Sequence, residues 1–172
     1  ERRSGWQINS RAEDVGGALN AYTSRETTVY YAITPTGQLP RALDLLADIV
    51  GHPSFPAVEL DREKGIIHEE IKSDLDAPDE AIFDEMADLM YAGSRLSHNI
   101  LGTYQSVEGM TRDCAAEFVR NLYTPSNMVL SCVADMPVAK MRRLIERYMN
   151  AIEVRPTIQK RIQAPPVERF EE

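Results

Sequence analysis

Hydrophobic and polar positions along this chain follow two periods. Thr27–Thr34 is dense in β-branched and aromatic residues, and Ala18–Ser24 precedes it across a break at Arg25-Glu26, so the pattern predicts two adjacent antiparallel strands. Ser10 to Val15 reads as the end of a helix, closed by Gly16-Gly17, where a turn calls for backbone freedom. From Gln38 to Val50, the residues Leu39, Ala42, Leu43, Leu46, Ile49 and Val50 recur at helical spacing, which predicts a core-facing helix stopped by Gly51-His-Pro53. Pro56 opens a longer helix that runs to about Asp74, before Asp76-Ala-Pro78 interrupts it. The next helix, Asp79 to Met90, offers Ile82, Phe83, Met86, Leu89 and Met90 as its core side.

Gly93 to Gly109 reads as irregular around the turn Leu101-Gly102-Thr103, and Thr111-Arg-Asp-Cys114 then opens a helix ending near Leu122. Tyr123–Asn127 connects to Met128–Ala134, a continuous apolar run that predicts a strand buried on both faces. Val138 to Ile152 is the last helix. Glu153–Glu172, with three prolines, mixed charge and little periodicity, is expected to be a linker toward a following domain. The element order predicts an α+β layer structure, a mixed and mainly antiparallel sheet with helices packed on it.

One helix breaks the hydrophobic rule. At about 100° per residue, Glu63 and Glu70 lie roughly 20° apart, beside Ile66 and Ile67, with Leu60 and Ile71 close by. A carboxylate held in an apolar stripe loses hydration unless a cation or a set of donors compensates it. Arginines of a neighbouring element would serve, and so would a metal ion; spacing leaves both open. His68, Glu69 and Lys72 point away from this stripe. The histidines His52, His68 and His98 form no HxxH, HxxxH or HExxH pattern, so no ordinary zinc site assembles locally.

Bulk composition narrows the partners. With 172 residues and 43% hydrophobic content, the chain suits one domain, or one unit of a larger protein. A formal charge of −8, from 19 basic and 27 acidic residues, provides no basic stripe, so nucleic acid is not an expected partner. No apolar run approaches the roughly 18 residues of a membrane span, and no membrane association is expected. Cys114 and Cys132 lack a CxxC pattern and are expected to be buried thiols. Glu1-Arg-Arg-Ser-Gly-Trp6 carries no initiator methionine and reads as the start of an excised segment.

The run Gly16-Gly-Ala-Leu-Asn-Ala-Tyr-Thr-Ser-Arg-Glu-Thr-Thr-Val-Tyr-Tyr31 resembles the segment after the active-site helix in the M16 family of zinc metallopeptidases, which includes pitrilysin and the mitochondrial processing peptidase. Leu43–Ile49, Glu63–Ile71, Asp76-Ala-Pro78, Ile100-Leu-Gly-Thr103 and Tyr123–Leu130 resemble that family in the same order. The resemblance covers nearly the whole chain and implies the LuxS/processing-peptidase-like fold. Residues 1–152 would be part of the N-terminal peptidase domain, and 153–172 a linker to a homologous one.

In that family an inverted HxxEH motif supplies two histidine ligands and the glutamate that activates zinc-bound water; a downstream glutamate is the third ligand. By resemblance Glu70 is this zinc ligand, and Glu63 is the supporting acid that orients a ligating histidine. Substrate is held as an added β-strand, and Asn20, Ala21 and Thr23 occupy the matching positions. Tyr123 and Asn127 are expected to be structural. The chain contains no HxxEH, which counting back places just ahead of Glu1, so the general base is missing. Zinc is therefore expected in the intact parent protein, while this chain alone is expected neither to hold it tightly nor to cleave peptides.

The resemblance implies a peptide or unfolded protein as substrate, a second homologous domain or subunit as partner, and room for a homodimer. A bacterial cytoplasm is the expected compartment, with the mitochondrial matrix and the periplasm as alternatives. The competing readings are a non-catalytic scaffold or peptide-binding subunit of the same family and a free-standing binding domain. Two acids kept in an apolar stripe favour the enzyme.

Overall fold

The computed structural model describes residues 3–150 and 152–156. Their contacts divide them into two compact units, one made of residues 3–22, 29–54 and 113–156, the other of residues 23–28 and 55–112.

In the first unit, α1 spans Gly5–Glu13 and starts earlier than its apolar pattern suggests. A capping box accounts for the difference: Ser4 Oγ accepts from the Gln7 N–H at 3.3 Å, and the Gln7 side chain accepts from the Ser4 N–H at 2.9 Å. Gly16, at φ 68°, turns the chain into the hairpin of β1 (Ala18–Thr23) and β2 (Thr28–Ile33). The two strands form the sheet of the described residues.

The helix α2, Leu39–Gly51, buries Ala42, Leu43, Leu45 and Ala47 because it is packed on two sides, by α1 and by α7 (Val138–Met149). Ile8 and Ala12 of α1 meet Leu45 of α2, and Leu19 and Ile49 close over them. Asp48 is buried in the same helix, 1% exposed, and Arg3 reaches it at 2.7 Å while donating to Asp44 at 2.5 Å.

Tyr123 and Asn127 tie down the segment after α6 (Arg112–Leu122). The Tyr123 and Tyr30 hydroxyls share a hydrogen bond of 3.0 Å, and Asn127 Nδ2 donates to the Leu122 carbonyl at 3.0 Å. Burial, and then the bond to Tyr123, raises the Tyr30 pKa well above the usual phenol range. The buried Thr124 donates its hydroxyl to the Arg155 carbonyl at 2.7 Å.

Two expectations fail in this unit. Met128–Ala134 does not lie in a ladder among the described residues, and Val129 and Val133 are each 97% exposed, so the run is not buried on both faces. An apolar run predicts extended backbone but says nothing of whether a neighbour strand is at hand. Cys114 is exposed and Cys132 half-buried, so neither is a buried thiol.

The second unit centres on α3, Ala57–Leu75, against which α4 (Pro78–Met90) and the short α5 (Tyr104–Glu108) pack. The stretch expected to be irregular thus holds α5 and a single 3₁₀ turn at Arg95–Ser97. The signal was Thr103-x-x-Ser106: Thr103 Oγ1 accepts from the Ser106 N–H at 3.1 Å, and Ser106 Oγ accepts from the Thr103 N–H at 2.8 Å.

The α4 expectation is corrected too. Ile82, Phe83, Met86, Leu89 and Met90 are exposed, whereas Ala87 of that helix is buried. Helical spacing identified the helix, but the face it turns inward depends on what packs beside it. Glu153–Pro156 of the expected linker are described and form no helix or strand; 157–172 lie outside the described residues.

Candidate active-site elements

On α3, Glu63 and Glu70 lie two turns apart and both are exposed, as is Ile66, while Ile67 is half-buried and Ile71 buried. This corrects the reasoning from burial. Neither carboxylate is desolvated, so neither requires a counter-charge on that account. Neither makes a hydrogen bond or ion pair among the described residues, so the arginine-paired arrangement is not found there. His68, expected to point away without a partner, sits under Tyr104 with ring centroids 5.0 Å apart, and its Nε2 is 3.7 Å from Glu108.

The described residues contain no group of three or more His, Cys, Asp and Glu placed to hold a metal ion. Two open acids on one helical face fit as a portion of a zinc site: a single carboxylate ligand with an acid beside it.

The hairpin supplies a different resource. The Ser24 N–H donates to the Thr27 carbonyl at 2.7 Å, which sets those residues opposite each other. Antiparallel alternation then turns the main chain of Asn20 and Tyr22 toward β2, and that of Leu19, Ala21 and Thr23 toward the other edge of β1. That edge carries no strand among the described residues. Asn20, Ala21 and Thr23 are all exposed, and Asn20 Oδ1 accepts the Ala21 N–H at 2.8 Å, covering one donor of the edge. The half-buried Leu19, whose main chain also faces this edge, escapes a reading that looks for side chains. Thr23 belongs to the same unit as Glu63 and Glu70, whereas Asn20 and Ala21 belong to the first.

Residues 1–104 match the family model for insulinase, peptidase family M16. The chain belongs to the M16 peptidase family. Residues 109–172 match a second M16 model, described as the peptidase M16 inactive domain. Among its relatives, an uncharacterized zinc protease of Bacillus subtilis is 31% identical over 153 residues, covering 89% of this chain and 37% of the relative. A probable mitochondrial-processing peptidase subunit beta of Schizosaccharomyces pombe is 32% identical, over 89% of this chain and 34% of its own. The chain thus spans about a third of the length of either relative.

The fold agrees with a crystal structure of a peptidase M16 inactive domain from Pseudomonas fluorescens, with a TM-score of 0.85 at 20% identity over 95% of this chain and 40% of that one. The α+β M16 fold expected from the sequence is the fold found. No helix among the described residues is long and apolar enough to cross a membrane.

Proposed function

We propose that this M16 chain is part of a zinc metalloendopeptidase, contributing the third metal ligand, Glu70, its supporting acid, Glu63, and a substrate-receiving edge at Asn20, Ala21 and Thr23. The observation that carries this reading is the pair of exposed acids on one face of α3, without a hydrogen bond or ion pair among the described residues, inside the stretch that matches the peptidase model. An exposed carboxylate without a counter-ion is free to bind a cation, and an acid two turns away can hold an imidazole that binds the same cation. Zinc, when bound, would lower the pKa of a water molecule and polarise the scissile carbonyl. The chain's own residues bind and orient. The β1 edge offers main-chain donors and acceptors that suit peptides of varied sequence. The remaining metal donors and the general base are assigned to the longer polypeptide, along with a second homologous domain or subunit and a bacterial cytoplasmic setting; 153–172 would lead toward that domain.

A non-catalytic role is the second reading, favoured by the match of residues 109–172 to the inactive-domain model. Calorimetry separates the two. Zinc titrated into this chain is expected to give no tight binding, whereas the longer polypeptide is expected to bind it and to lose both metal and peptide cleavage on Glu70→Gln. Tight binding by the 172-residue chain would contradict the divided site. A longer polypeptide that binds no zinc would point to the scaffold.

A further inference from the structure

The tip of the hairpin carries a contact set that the peptidase reading leaves unused. Arg25, in the turn between β1 and β2, donates through Nη1 to the carbonyls of His98 at 2.5 Å and Leu96 at 3.3 Å, and through Nη2 to Asp84 Oδ1 at 2.6 Å. Asp84, on α4, also accepts from Asn99 Nδ2, and Asn99 Oδ1 accepts the Leu101 N–H at 2.8 Å. The two charged side chains are 23% and 35% exposed, so the pair is partly shielded from water.

A planar guanidinium spread over two main-chain carbonyls and a carboxylate is fixed in orientation, and a lysine in its place could not reproduce the fork. The turn it stands on is stiff as well. Ser24 Oγ accepts the Thr27 N–H at 3.1 Å, and the Ser24 N–H closes the turn on the Thr27 carbonyl. Arg25 therefore anchors an ordered tip to the 95–99 turn and to α4, and α4 packs along α3, the helix of Glu63 and Glu70.

We propose that Arg25 is a positioning residue: it holds the hairpin tip, from Thr23 to Thr28, to α4, and through α4 to α3, so that an added peptide strand meets a fixed main chain at Thr23. This inference rests on the strand-addition reading above. Asp84 and Asn99 act through Arg25, the first as its counter-ion and the second by keeping that carboxylate aimed.

Amide hydrogen exchange on this chain reads the anchor without any chemistry. In Arg25→Ala, the amides of residues 22–28 are expected to exchange at least about tenfold faster while those of α2 and α7 keep their rates, with Arg25→Lys and Asp84→Asn falling between. Unchanged exchange at the tip overturns the anchor, and so does an equal acceleration throughout α2, which would mark general unfolding.

Kinetics of the longer, zinc-loaded polypeptide then test the role. Arg25→Ala is expected to raise KM for an unstructured peptide about tenfold with kcat within about twofold, and Arg25→Lys to restore part of the loss. An unchanged KM, or a fall in kcat alone, overturns positioning. A wild-type longer polypeptide that binds zinc and cleaves no peptide removes the peptidase reading instead, and the exchange result still decides the anchor.

Discussion

Asp48 shows how the surroundings of a single residue can overrule its place in a helical pattern. Helical spacing sets it opposite the apolar face of Leu39, Leu43 and Leu46, yet it is buried because α2 is packed on two sides, and a guanidinium that compensates it comes from Arg3, 45 positions away. Removing a cation from a buried carboxylate is destabilising, so Arg3→Ala should lower the unfolding free energy by up to about 3 kcal/mol in urea denaturation. A loss comparable to that of a surface pair would mean that Asp48 is compensated by other groups.

Tyr30 gives the pH counterpart. Its pKa is raised in the folded chain, by burial first, while an unfolded tyrosine ionises near pH 10. Above that pH the unfolded state binds fewer protons than the folded one. The stabilisation is therefore present below about pH 10 and declines as pH rises toward the folded value. Tyr30→Phe should flatten this alkaline loss, as read by thermal melts between pH 8 and 11; an equally steep decline would exclude Tyr30 as its source. Glu63 and Glu70 differ from both residues: being exposed and without a partner among the described residues, they should each tolerate Gln in this chain within about 0.5 kcal/mol.

Among the elements, the helices bounded by a proline or glycine breaker were legible, two starts marked by capping boxes went unread, and the faces the helices bury could not be read. Ser4-x-x-Gln7 and Thr103-x-x-Ser106 are local signals whose partners lie three residues away, so the sequence holds both helix starts even though apolar periodicity alone passes over them. The inward faces of α3 and α4 depend on neighbours distant in the chain. For that reason the shared face of Glu63 and Glu70 could be read from spacing, whereas their exposure could not. Met128–Ala134 fails for a related cause, since extended backbone becomes a ladder only when a partner strand lies alongside.

The α1-to-β1 junction shows what a close approach demands of one position. A Cβ at Gly17 would meet Thr34 Cγ2 at 2.9 Å, the Ala12 carbonyl at 3.0 Å and the Ile33 carbonyl at 3.1 Å. Two of these neighbours are backbone, so relief requires the hairpin to shift. Gly17→Ala should destabilise the chain by about 1–3 kcal/mol, with faster amide exchange in β1 and β2 than in α2. A neutral effect would show that the hairpin yields without resistance.

On the scale of the whole chain, exposed apolar surface is the property with the largest consequence. Ile82, Phe83, Met86 and Leu89 follow one another along α4 at helical spacing, with Phe83 63% and Leu89 76% exposed. Exposed apolar stretches of this kind mark contact surfaces or association hazards. Opposing association is the net charge of −8, which repels copies of the chain across about 10 Å at 0.1 M salt and over less distance as salt rises. The two effects separate by their response to salt. Sedimentation velocity is expected to show self-association that strengthens between about 0.05 and 0.5 M sodium chloride, because screening removes the repulsion and leaves apolar contact intact. Phe83→Glu with Leu89→Glu should return the chain to a monomer at every salt concentration with its helical circular dichroism unchanged, since both side chains already stand in water. Association that weakens with salt would instead reveal a contact made by ion pairs, and association indifferent to the double substitution would place the sticky surface elsewhere, with the exposed Val129 and Val133 the next residues to replace.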